Sequence, residues 1–337
     1  MKKLFALVLA VLMVVSLFAG CGGQNGSKSS GTETSDKTGE TTKSDSSDSN
    51  GEAKPLRFTL VSPLVGHPYW VSVEDGMKAA NEEFGVNTDY VGPTEINIDE
   101  QIKAIETAIA SKVDGIITMA LNPEAFKPVI DKAVDAGIPV VLIDTDAPDS
   151  KRNCYAGTSN KAAGFEAGKA MIEATGGKAK IGIITGAIDA DNLNLRIDGF
   201  KEAIKDHPEM EIVAIEPSNT DLLIATEKAQ SMLQAHPDIT AFFGVSAYDV
   251  IGAAKIVEEK GLVGKITLVG FDDMPETLDY IRQGVVYAAI AQKPYQMGYL
   301  GVKLLKEIHE GKTPESIIDT GVTVITKENV ETYKNVN

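Results

Sequence analysis

From Leu56 onward, short apolar runs alternate with longer stretches in which apolar residues recur every three or four positions. The short runs are LRFTLV (56–61), NTDYV (87–91), GIITMA (115–120), PVVLID (139–144), CYAG (154–157), KIGIIT (180–185), EIVAI (211–215), AFFGV (241–245), KITLVG (265–270) and VYAAIA (286–291). Several are apolar throughout, the mark of strands covered on both faces of a parallel sheet. Between them IDEQIKAIETAIAS, NPEAFKPVIDKAVDAG and LLIATEKAQSMLQAHP carry the helical period, with stop signals at Gly137 and Pro139, Pro208 and Pro237. This alternation predicts an α/β chain built on doubly wound parallel sheets. Ten strands in roughly 280 ordered residues suit two lobes better than one. The break is expected near Thr158-Ser159, where a strand gives way to NKAAGFEAGKAMIEATGG.

The first residues follow a different pattern. Lys2 and Lys3 precede LFALVLAVLMVVSLFAG, an apolar run of secretory type, so residues 1–20 read as a signal peptide. Ala19-Gly20 before Cys21 resembles a bacterial lipobox, with Phe18 where leucine is usual, and predicts lipidation of Cys21. Residues 21–54 are Gly-, Ser- and Thr-rich and almost free of apolar side chains, as expected of a disordered tether from membrane to folded domain. With Cys21 lipidated, Cys154 is the one thiol left, so no intramolecular disulfide is expected. Its setting, RNCYAGT, reads as a buried strand position. The chain of 337 residues carries 48 acidic against 32 basic side chains, a formal charge of −16. That balance argues against nucleic acid or an anionic membrane surface as partner.

Ligands of open parallel sheets bind beyond the carboxyl ends of the strands. The side chains there are carboxylates, amides, hydroxyls, one arginine and aromatics, from Ser62–Trp70 through Asp144-Thr145-Asp146 to Asp272-Asp273 and Gln292. That inventory suits a neutral polyhydroxylated ligand, whose hydroxyls pair with polar groups while aromatics cover its apolar faces. Other chemistries lack their parts. No GxGxxG follows a strand, and Gly311-Lys312-Thr313 has Lys306 where a phosphate loop needs glycine. His67, His207, His236 and His309 are scattered, Asp189-Ala190-Asp191 continues without the glycine and glutamate of a calcium loop, and no serine sits in a GxSxG elbow. No catalytic residue, metal or cofactor is therefore expected, and the protein does not read as an enzyme.

In SPLVGHPYWVS (62–72), helical spacing from Trp70 runs through Val73, Met77, Ala80 and Phe84, a stripe that should face the core. Tyr69 lies off it, and His67 precedes the helix.

These strand ends resemble a known family. SPLVGHPYWVSVEDGMKAA, AGIPVVLIDTDAPDSKRNCYAGTSNKAAG, LRIDGFKEAI, AFFGVSAYDVIGAAKIV, LVGFDDMPETLDYIRQG and AAIAQKPYQMGYLGVKLL occur in the order found in ribose-binding-protein-like solute-binding proteins of sugar ABC importers, the type I periplasmic binding proteins. The resemblance covers about residues 56–326. It implies two Rossmann-like lobes joined by a three-strand hinge, with residues 55–158 and 293–321 in the first lobe and 159–292 and 322–337 in the second. It implies sugar contacts from Ser62, His67, Tyr69 and Trp70 after the first strand, from Asp144 after the fourth, and from Arg196, Asp272 and Gln292. Thr145, Met119, Ser246 and Tyr248 stand where the family often has other residues, and imply an altered pocket; Asn194 is a further candidate at the same helix start as Arg196. The resemblance further implies an extracytoplasmic monomer that captures a mono- or small oligosaccharide, closes about the hinge and docks on a membrane permease, held to the membrane by its lipid alone. A polyol or an autoinducer-2-type signal remains the alternative ligand. A regulator on the same fold would need a DNA-binding segment and a basic surface, and an enzyme would need a catalytic constellation.

Overall fold

The computed structural model describes residues 54–334. The expected signal peptide, Cys21 and the tether up to Ala53 lie outside the described residues. Among these residues the strands are β1 (Arg57–Val61), β2 (Asn87–Val91), β3 (Gly115–Thr118), β4 (Val140–Ile143), β5 (Cys154–Gly157), β6 (Ala179–Thr185), β7 (Met210–Pro217), β8 (Ala241–Gly244), β9 (Thr267–Phe271), β10 (Ala288–Ala291), β11 (Ile317–Asp319) and β12 (Thr323–Thr326). The helices are α1 (Pro68–Phe84), α2 (Ile98–Ala110), α3 (Pro123–Asp135), α4 (Asn160–Thr175), α5 (Asp191–Ile204), α6 (Leu222–Ala235), α7 (Asp249–Glu259), α8 (Pro275–Gln283) and α9 (Pro294–His309).

The strands form two six-stranded sheets, ordered β11-β5-β4-β3-β1-β2 and β12-β10-β9-β8-β6-β7. Every pairing is parallel except β10 with β12, which is antiparallel. The ten apolar runs all form strands at or within a few residues of their expected places. The two short strands β11 and β12 were not among the expected runs; each holds only two adjacent apolar residues, Ile317-Ile318 and Val324-Ile325, and β11 is exposed at both ends, as an edge strand can be. The chain passes between the sheets three times, at residues 158–159, 292–293 and 320–322.

All residues of β3, β4, β5, β8 and β10 are buried, which accounts for their almost wholly apolar sequences, Thr118 being the exception. Each large aliphatic side chain so covered contributes about 1.5–3 kcal/mol relative to exposure. Two pairs of helices lie unusually close, and glycine makes both approaches possible. A Cβ on Gly76 of α1 would sit 1.9 Å from the carbonyl oxygen of Tyr295 in α9, and one on Gly164 of α4 would sit 1.9 Å from that of Arg196 in α5. Such separations are far below van der Waals contact, so the helices touch backbone to backbone. The second approach fixes where the α5 backbone carries Arg196.

Candidate ligand-binding site

The strand ends of the two sheets converge on a cavity of about 90 Å³. Of the expected contacts, His67, Tyr69, Trp70, Met119, Asp144, Arg196, Ser246, Asp272 and Gln292 line it.

Both aspartates occupy the residue immediately after a strand and turn the chain there through the left-handed region, with φ of 58° at Asp144 and 66° at Asp272. Aspartate tolerates that conformation better than most side chains, and the turn places each carboxylate at the sheet's end. Asp144 Oδ1 accepts the Tyr69 hydroxyl at 2.7 Å, and its Oδ2 accepts Thr145 Oγ1 at 3.0 Å and Asn192 Nδ2 at 3.2 Å. Asp272 Oδ1 accepts Gln292 Nε2 at 2.9 Å. Burial pushes the Asp272 carboxyl up to about 6, with the nearby Arg196 charge opposing the rise.

Arg196 is 2% exposed. Its Nε donates to Asn160 Oδ1 at 2.8 Å, its Nη1 donates to the Val245 carbonyl at 3.1 Å, and its guanidinium carbon lies 4.2 Å from the centre of the Phe271 ring. Three bonding groups thus hold the side chain, while Nη2 has no partner among the described residues.

His67 caps α1: its Nδ1 accepts the Tyr69 backbone N–H at 3.2 Å, which assigns the proton to Nε2. Burial lowers its pKa to about 4, so the ring stays neutral and offers Nε2–H. That nitrogen, like Gln292 Oε1, is buried without a partner among the described residues. Buried polar atoms are nearly always satisfied; of those without a partner among the described residues, His67 Nε2, Arg196 Nη2 and Gln292 Oε1 belong to side chains that line this one cavity, while the others are threonine hydroxyls elsewhere. Tyr69 and Trp70 add ring surface, edge to face with centroids 5.3 Å apart. Trp70 is both core and lining. Its stripe partners Val73, Met77 and Ala80 are buried as the spacing predicts, yet from the first turn of α1 it also reaches the cavity.

Four of the expected contacts do not line the cavity. Ser62 turns back on its own loop, donating to the Leu64 carbonyl and accepting the Leu64 N–H. Thr145 gives its hydroxyl hydrogen to Asp144. Tyr248 meets His67 edge to face, centroids 4.9 Å apart. Asn194 is exposed and bonds the Ile188 carbonyl at 2.8 Å. Asn192 takes the place expected of it, and the reason is helical geometry. Residues 192 and 196 are one turn apart on the same face of α5, whereas residue 194 points nearly the opposite way. The i, i+4 relation to Arg196 was the signal available for Asn192. Asn160, which holds Arg196, carried no signal beyond its place at the start of a helix.

Two parallel-sheet lobes with a cavity between their strand ends, lined by two carboxylates, two amides, a neutral histidine, an arginine and two aromatics, define a two-lobed solute-binding protein of the type I periplasmic fold. The chain belongs to the periplasmic binding protein domain family, whose model matches residues 58–313. It is 27% identical over 283 residues to the D-ribose/D-allose-binding protein of Pseudomonas aeruginosa, a match covering 80% of this chain and 88% of that one. Among solved structures, it resembles GanP, a glucose-galactose binding protein from Geobacillus stearothermophilus, at 45% identity and a TM-score of 0.80, over 82% of this chain and 99% of that chain. A solute-binding protein from Burkholderia graminis, solved in complex with D-arabinose, is 33% identical with a TM-score of 0.80, over 84% of this chain and 99% of that chain. The family is one of solute binders rather than enzymes. No helix among the described residues is long and apolar enough to cross a membrane.

Proposed function

We propose that this protein captures a monosaccharide outside the cytoplasm and delivers it to the permease of an ABC importer. The observation that carries the reading is the set of three unpaired buried atoms on the cavity wall, two donors at His67 Nε2 and Arg196 Nη2 and one acceptor at Gln292 Oε1. A sugar ring presents hydroxyls that both donate and accept, so it satisfies all three, and the Asp144 and Asp272 carboxylates supply further acceptors. A formal anion would face two carboxylates, and an apolar ligand would leave the orphan atoms unpaired.

The cavity is small, about 90 Å³, which suits one sugar ring rather than two. The three chain crossings at residues 158–159, 292–293 and 320–322 serve as the hinge about which residues 55–158 with 293–321 and residues 159–292 with 322–334 open and close. Lipidation of Cys21 anchors the folded part, which works as a monomer, to the outer face of the membrane, and residues 21–54 give it reach. The ligand set rests on His67, Tyr69, Trp70, Met119, Asp144, Asn192, Arg196, Ser246, Asp272 and Gln292.

A thermal-unfolding screen of D-glucose, D-galactose, D-ribose, D-xylose, L-arabinose and D-allose tests the reading. A bound sugar raises stability by RT ln(1+[L]/Kd), about 2.7 kcal/mol at a hundredfold excess over Kd. No shift with any of them, or an undiminished shift in Arg196→Met, overturns it.

A further inference from the structure

Asp249, the first residue of α7, is completely buried, and no cation meets it among its hydrogen-bond partners. Its Oδ2 accepts both the backbone N–H and the hydroxyl of Ser246, each at 2.7 Å, and its Oδ1 accepts the Ser218 hydroxyl at 2.6 Å. Ser246 lines the cavity; Asp249 does not. A serine hydroxyl has one hydrogen and two lone pairs. The hydrogen of Ser246 is committed to Asp249, and among the described residues nothing donates to its oxygen.

We propose that Asp249 is a positioning residue for ligand selectivity: it holds the Ser246 hydroxyl as an acceptor toward the cavity, so that this wall takes a ligand hydroxyl and rejects a group that cannot donate. The proposal rests on the sugar-binding reading above. It also explains why an acid stands here. A carboxylate accepts at both oxygens and never donates, so it holds Ser218 and Ser246 in one orientation at once. A role limited to tying the loop between β8 and α7 needs only the bond to the Ser246 backbone. Burial raises the Asp249 pKa to about 7, against the hydrogen bonds from Ser218 and Ser246. The carboxylate form that orients both serines therefore prevails above about pH 7.

Monodeoxyfluoro sugars test this, because fluorine at one carbon removes the donor while leaving the ring intact. Affinities of D-glucose, D-galactose, D-ribose, D-xylose and their monodeoxyfluoro analogues are measured by calorimetry with the native protein, Asp249→Val, Asp249→Asn, Ser246→Ala and the Asp249→Val/Ser246→Ala double variant. For the native protein one fluorinated position should lose about tenfold or more. Asp249→Val should cut that discrimination severalfold, and adding it to Ser246→Ala should change nothing further. Asp249→Asn, whose amide oxygen can take both Ser246 bonds, should restore discrimination. Equal discrimination in Asp249→Val, or multiplied losses in the double variant, overturns the proposal. A ligand-free measurement separates its failure from that of the function. Carbon-13 NMR of the Asp249 carboxyl should show a higher titration midpoint in Ser246→Ala, which deletes a bond to the ionised form. An unchanged midpoint refutes the hydrogen-bond arrangement whatever the sugars do. If the midpoint rises but no sugar binds the native protein, the arrangement stands, while the sugar-binding reading and the selectivity proposal fall together.

Discussion

Asn160 Oδ1 accepts the Nε–H of Arg196 at 2.8 Å, while Asn160 Nδ2 donates to the backbone carbonyl of Asp144 at 3.1 Å. One buried amide, at the start of α4 just after the first chain crossing, thus joins the guanidinium on one side of the cavity to the carboxylate-bearing turn on the other. Tyr155 supports the same turn, donating its hydroxyl to the Asp144 carbonyl at 2.9 Å. Asn160→Ala removes the link and leaves the Arg196 Nε–H buried without its acceptor. A hydrogen bond to a charged group is worth about 1.5–3 kcal/mol, so sugar affinity should fall roughly ten- to hundredfold by calorimetry. An affinity within twofold of native would show that Arg196 holds its place without Asn160.

Gly164→Ala should act on the same arginine from the other side. The added methyl would meet the Arg196 carbonyl oxygen and carbon at 1.9 and 2.6 Å, both backbone atoms that cannot swing aside. Helices α4 and α5 must separate, at a cost of about 1–3 kcal/mol or more. A lowered unfolding midpoint together with weaker sugar binding is expected. A lowered midpoint with native affinity would mean that the α5 backbone moves without taking the guanidinium along.

Three buried groups give opposite pH signatures. The pKa of Asp249 is raised from 3.8 to about 7 and that of Asp272 from 3.8 to about 6, both by burial. Stability from a raised acid is fully present below its unfolded pKa and is lost as pH rises through the folded value. Asp249→Asn should therefore gain on the native protein in unfolding midpoint as pH rises from 4 to 8. His67 behaves in reverse. Its pKa is lowered from 6.5 to about 4, so its contribution is present above 6.5 and fades as pH falls toward 4. His67→Gln should gain on the native protein only below about pH 6. Thermal melts across this range check both signs, and parallel curves for native and variant would contradict the burial of that group.

Trp70 is the only tryptophan of the chain and lines the cavity. Its emission should change saturably on titration with a sugar that shifts the unfolding midpoint, with the same Kd as calorimetry. Trp70→Ala should lose binding through the missing ring and also several kcal/mol of stability, about 3–5 for a buried aromatic. Trp70→Phe should recover most of the stability. Unchanged emission at saturation would place the sugar away from the ring.

Much of this site was legible because parallel sheets announce their ends. Asp144 and Asp272 each follow an apolar run, and the parallel-sheet rule turns those positions into candidates without further knowledge. The same rule listed Arg196 and Gln292, but an arginine on a helix or a glutamine after a strand has many uses, and the family resemblance was what gave them a ligand role. What stayed hidden shares one cause: orientation. Asn192 and Asn194 are both asparagines at one helix start, and only the rotation of α5 separates the lining residue from the exposed one. Asn160 reaches Asp144 and Arg196, and Asp249 reaches Ser218, through bonds between residues far apart in sequence that leave no local pattern. Strands β11 and β12 escaped because an edge strand of three or four residues offers only two adjacent apolar residues, too few to stand out.

Those two strands also set a timetable. Each closes the outer edge of a different sheet, and together they span only residues 317–326. The partner of α1 across Gly76 is α9, which begins at Pro294. A chain synthesised from its N-terminus therefore lacks one edge of both sheets until residues 317–326 arrive. Long-range closure of this kind is intrinsically slow. Truncation before residue 317 would strip an edge from both halves at once.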